Sequence, residues 1–170
     1  GPRKCDATTI PPIITRGVLI DMAGYKGVDA LPAHYSISVD DVKGALKRQN
    51  TTLQPGDTVL IRTGTLRYWG ETGADHDKLS EHDSAGINLA TAKYLVEQHG
   101  SVMIGGDTSG VEVAPAPAGS DVFIPVHKYL LIEQGVHIAV HVPQQMGQNV
   151  GLRPAGSPVV LDLGVVPHAA

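Results

Sequence analysis

The stretch FIPVHKYLLIEQGVHIAVHV, residues 123–142, sets three histidines, His127, His137 and His141, in largely apolar surroundings. Imidazole is the side chain best suited to move protons near neutral pH, and it also ligates metals. A second candidate lies upstream in GGDTSG, residues 105–110, where Asp107 closes an apolar run. A histidine beside a carboxylate is the least that general acid–base chemistry needs, and with two further donors it becomes a metal site. The segment DHDKLSEHD, residues 75–83, holds two histidines and four acids. Its spacing is irregular, so it reads as a solvated surface.

Spacing separates these histidines. His137 and His141 share one face of a strand, but lie roughly 13 Å apart at the usual rise, too far to hold one ion. Val136, Ile138, Val140 and Val142 alternate with them and read as core. His127 follows a Pro/Gly/Ala loop at 114–120 and heads a short helix, from which a side chain can reach a crevice. Asp107 ends a buried strand, where open α/β sheets bind ligands; its other reading is an acid that caps its own turn. His127, Asp107 and His141 are thus the catalytic candidates. Thr108, beside Asp107, and Tyr68 and Trp69, in a polar segment over 64–83, are candidates for substrate contact. No phosphate loop of the G-x-x-x-x-G-K-[ST] type is present.

The elements that must position these residues alternate. IITRGVLIDM, residues 13–22, reads as a strand. SVDDVKGALKRQN follows as a helix over 39–49, with Ser38 as N-cap, acids first and bases last. A Pro-Gly-Asp turn leads into a strand at 57–63. Residues 64–83 read as a long irregular loop, and such loops usually serve function. In SAGINLATAKYLVEQHG, Leu89, Ala92, Leu95 and Val96 share a helix face that stops at Gly100. SVMIGGDTSG is a buried strand, PVHKYLLIEQG a short helix, and VHIAVHV and SPVVLDLGVV two strands. The alternation predicts one α/β domain with a mixed sheet covered by helices.

Composition excludes several classes. With 170 residues and a net charge of −4, the chain has neither the basic excess nor the stripe of a nucleic-acid surface. No run of 18 apolar residues suggests a membrane span. The single Cys5 and the lack of a secretory pattern lead to an expected cytoplasmic location.

Several phrases, in order from about residue 11 to 142, together resemble the cyclase family, which includes kynurenine formamidases and isatin hydrolases. They are TRGVLIDMAGYKGVDALPAHYSISVDDV, GDTVLIRTG with YWG, GI with YLVEQHG, GGDT with EV, and PVHKYLLIEQGVHIA. The resemblance is nearest to the isatin-hydrolase branch. It implies a swivelling β/β/α domain, a zinc or manganese ion, and hydrolysis of a small cyclic or aryl amide. The family motif H-x-G-T-H-x-D-x-P-x-H, which supplies most ligands, does not occur here. The domain is therefore expected without its usual N-terminal part, and zinc or manganese would need ligands from another segment or chain. By the same resemblance His127 corresponds to a metal-binding histidine. The glutamate that accompanies it falls on Val140, which is then expected to face the same cavity as His127. A metal-independent acid–base cyclase or dehydratase, or a non-catalytic binding subunit, are the other readings. A shortened sheet with an open edge further suggests a homo-oligomer, most simply a twofold dimer.

Overall fold

The computed structural model describes residues 10, 12–70, 73–116 and 120–140. Along the chain come β1 (Gly17–Asp21), α1 (Met22–Lys26), β2 (Ser36–Ile37), α2 (Val39–Arg48) and β3 (Thr58–Arg62). A 3-10 turn (Thr65–Trp69) leads to α3 (His76–His82) and β4 (Gly86–Ile87). Then α4 (Leu89–Lys93) continues as a π-helix over Tyr94–Gln98, followed by β5 (Met103–Gly106). Finally α5 (Pro125–His127) continues as a π-helix over Lys128–Gln134 and leads to β6 (His137–Ala139).

The main sheet has the order β1-β3-β5-β6, and every pairing in it is parallel. Parallel strands need crossover connections, which is why helices alternate with them in the sequence. The α/β architecture with a helix-covered sheet is thus present, but the sheet expected to be mixed is parallel throughout its described strands. The central strands are apolar without a break because both their faces are covered: β5 is buried at all four positions, and β3 at four of five. Ile20, Ile61 and Ile104 of this sheet share one core with Met22, Leu95 and Leu130. At Gly105 a side chain would come within 2.8 Å of the Ala139 carbonyl oxygen, so the glycine is what lets β6 close against β5.

Local signals account for most helix starts. Ser38 and Asp41 form a reciprocal capping box at α2, and Asn88 caps α4 by accepting from the Thr91 N–H at 2.9 Å. The outer edge of β1 is closed by a side chain. Gln49 accepts from the Asp21 N–H at 3.1 Å and donates to the Leu19 carbonyl at 2.8 Å, taking the place of a neighbouring peptide opposite Ile20. This blunts an edge that another strand could otherwise join.

Two expectations change. Residues 64–83 are not a continuous irregular loop but hold the 3-10 turn and α3, which Asp75 caps through the Lys78 N–H. The helix expected from Ser84 starts only at Leu89, because Gly86 and Ile87 pair with Ser36 and Ile37 in a second, two-stranded parallel sheet. Strands of two residues are too short for any periodicity to reveal. The expected strand over SPVVLDLGVV lies outside the described residues. Among them, no helix is long and apolar enough to cross a membrane.

Candidate active site

His127 reaches a carboxylate partner, and that partner is Glu112. Beyond the C-terminal end of β5, the chain turns through residues 107–111 and lays Glu112 beside Ile87 of β4 as a single parallel bridge. Ile87 donates its N–H to the Val111 carbonyl, and Val113 donates to the Ile87 carbonyl, both at 3.0 Å. Gly86 makes this approach possible, since a side chain there would overlap the backbone of Val111 and Glu112. The Glu112 side chain, only 5% exposed, then points at the head of α5. Its Oε1 accepts from the Val126 N–H at 3.2 Å, and its Oε2 from the His127 N–H at 3.1 Å. The His127 Nδ1 also meets Oε2 in a short contact.

An ionised carboxylate only accepts hydrogen bonds, and the two backbone donors identify Glu112 as the acceptor. Nδ1 therefore donates a ring proton, and in the neutral ring this leaves the lone pair on Nε2. The imidazole is 23% exposed, so Nε2 belongs to a group that solvent and ligands can reach. This is a base held in one tautomer and one orientation by a buried acid.

Other parts of the molecule hold the loop before Glu112 in place. Asp107 is 3% exposed, and both of its oxygens accept hydrogen bonds. Its Oδ1 accepts from the Thr63 N–H and hydroxyl, both at 2.7 Å, and its Oδ2 from the Gly64 N–H at 2.8 Å. The Thr108 hydroxyl accepts from the Val111 N–H at 3.2 Å. Ser109 donates its N–H to Asp83 at 2.7 Å, which fastens the loop to the end of α3. Val111 is held at φ 56, a conformation that β-branched residues rarely adopt, while its side chain is buried in the core.

The sequence candidates accordingly separate. His127 is the candidate that meets a buried carboxylate, Glu112. Asp107 organises the strand end, with hydrogen-bond donors on both of its oxygens. Thr108 is 1% exposed and occupied with its own turn, so it is not presented for substrate contact. Tyr68 packs its ring on His82, with centroids 5.1 Å apart, and His82 Nδ1 bonds the Leu31 carbonyl at 2.8 Å. Trp69 ends the 3-10 turn and is 48% exposed. Both belong to the segment that Asp83 ties to the Glu112 loop. His141 lies outside the described residues.

Val140 is 42% exposed, so it is not part of a cavity built around His127. The strand covers only His137–Ala139, and all three residues are half-buried, so no alternation carries the burial of Val136 on to Val140. Val140→Glu is therefore expected to change stability by no more than about 0.5 kcal/mol, as for other exposed positions. A urea melt showing a loss above about 2 kcal/mol, the cost of a buried unpaired carboxylate, would contradict this placement.

Glu112 was visible in the sequence as the acid of the EV pair after GGDT, but nothing in that spacing linked it to His127, fifteen residues on. As for zinc or manganese, His127 Nε2 is one donor, backed by a carboxylate as metal-bound histidines commonly are. Among the described residues, however, no three His, Cys, Asp or Glu side chains stand together as an ion would require. The described residues by themselves do not fit a metal ion.

The model of the Cyclase family matches residues 1–113, a span that includes Glu112 and stops short of His127. A solved structure described as a novel cyclase shares 29% identity and a TM-score of 0.67, over 80% of this chain and 42% of that one. Isatin hydrolase A from Ralstonia solanacearum shares 19% identity and a TM-score of 0.58, over 79% of this chain and 50% of that one. An isatin hydrolase bound to the product analogue thioisatinate shares 20% identity and a TM-score of 0.55, over 76% of this chain and 47% of that one. The likeness to the isatin hydrolases is one of fold. The chain spans half or less of the length of these structures. No curated protein matches.

Proposed function

Because the chain belongs to the cyclase family, we propose that it carries the acid–base part of a hydrolase site for small cyclic or aryl amides. The observation that carries this reading is the Glu112–His127 pair, with Nδ1 committed to the buried carboxylate and Nε2 left as a base. As a water oxygen bonds to the amide carbonyl carbon, Nε2 takes the proton that the water loses. Glu112 stabilises the imidazolium that forms. When the C–N bond breaks, the same Nε2 returns the proton to the departing nitrogen, and the ring opens to an amino acid. A positioned acid–base group of this kind contributes about 10²–10⁴-fold.

A neutral base that works without a metal would equally serve a cyclase or dehydratase. The observation favouring that second reading is that Glu112 and His127 already pair, while among the described residues no three metal-ligating side chains stand together. The test is ring opening of isatin by the purified chain, followed by absorbance, with and without added zinc or manganese. His127→Ala is expected to lower turnover by about 10²–10⁴-fold. Equal turnover in the variant would overturn the assignment of the base. Turnover that is the same with and without metal would move the reading to the metal-independent one. A homodimer is proposed with either reading, and sedimentation showing only monomer would remove it.

A further inference from the structure

The space beside the His127 ring is bounded by a residue that has no side chain. Among the described residues, a Cβ built on Gly110 would have one neighbour within 4 Å outside its own chain vicinity, the His127 Cε1 at 3.7 Å. Cε1 joins the two ring nitrogens. Nδ1 is covered by Glu112, so a group added at Gly110 would border the half of the ring that ends in Nε2. Gly110 is not among the glycines at positive φ, so its backbone does not require glycine. Among the described residues, the absence of a side chain here leaves room next to the ring.

Both walls of this gap are fixed. On one side, Thr108 holds Val111, Asp83 holds Ser109, and Val111 and Val113 are paired with Ile87. On the other, His127 is held to Glu112 through its backbone N–H and its ring. A side chain added at 110 can therefore not be relieved by the loop swinging away, and it would extend over the imidazole edge. We infer that Gly110 is a specificity-determining position, whose bare backbone sets how large a group can approach His127 Nε2. The inference rests on the proposal that Nε2 is the working nitrogen. It adds that a flat substrate edge lies in the Gly110 gap, and that branched side chains at 110 exclude it.

The experiment measures the rate at which diethyl pyrocarbonate acylates His127 in the folded chain, by peptide mass spectrometry, with exposed His76 as internal reference. Gly110→Ala makes ordinary van der Waals contact with the ring, so its rate relative to His76 is expected to stay within about twofold of the parent. Gly110→Val and Gly110→Leu cover the ring edge, and a fall of about tenfold or more is expected. Circular dichroism of each variant accompanies the measurement. A Gly110→Leu protein that keeps the native spectrum and the parental rate overturns the inference. Failure of the underlying reading would show elsewhere, as isatin turnover indifferent to His127→Ala or as a ring proton found on Nε2 by nitrogen NMR of the parent. Should Gly110→Leu fail to fold, Gly110→Val decides by the same two numbers.

Discussion

Glu112→Gln is expected to cost about 10²–10⁴-fold in turnover, the range for losing a correctly protonated general base, while the protein stays folded. The size follows from what three donors demand of one side chain. The carboxylate accepts from the Val126 N–H on Oε1 and from the His127 N–H and Nδ1 on Oε2. A glutamine has one carbonyl oxygen and one amino group to offer. If its oxygen stays at Val126, its amino group meets the two donors of His127. The ring must then move its proton to Nε2, and the base is lost. If the amide is flipped, His127 keeps its tautomer, but an amino group faces the Val126 N–H in a buried place. That leaves a donor unpaired, at about 1–3 kcal/mol. Nitrogen NMR of His127 tells the two cases apart. A variant with the parental tautomer, parental stability and parental turnover would show that Glu112 does not position the base.

Asp107→Ala is expected to have the largest effect on stability, about 3–5 kcal/mol. The Thr63 N–H, the Thr63 hydroxyl and the Gly64 N–H all lose their acceptor in a place that water does not reach. At about 2–4 °C per kcal/mol for a domain of this size, the melting temperature should fall by roughly 6–20 °C. Asp107→Asn keeps one oxygen and should lose less. The same pair of variants separates the positioning role from a catalytic one. If Asp107 touched the reacting atoms, the asparagine variant would lose turnover without losing stability. A buried anchor predicts that both fall together, and that low temperature recovers activity as the fold recovers.

How much of this was legible depends on how far each feature reaches along the chain. The alternation of strands and helices was legible, because burial of β3 and β5 on both faces writes long apolar runs, and because Ser38 and Asp41 cap α2 through bonds three residues apart. The family was legible for the same kind of reason, since its phrases lie in order along the chain. His127 stood out as a histidine at a helix start after a loop. What the sequence alone determined is therefore the α/β layering, the central strands and one residue of the candidate site.

The tertiary structure decided the rest. Glu112 reaches His127 only because Gly86 admits its backbone against β4 and because the turn through Val111 aims it at the head of α5. Neither condition leaves a period or a spacing in the sequence. Asp107 could have been a catalytic acid or an anchor until its three donors were seen to come from Thr63 and Gly64, more than forty residues earlier. Val140 read as core by alternation, but the strand ends one residue before it, and alternation buries a side chain only while the pleat continues. Hydrogen bonds within a turn of chain can be read from residue order, whereas the partner of a buried charge is set by which distant backbones the packing brings within 3 Å.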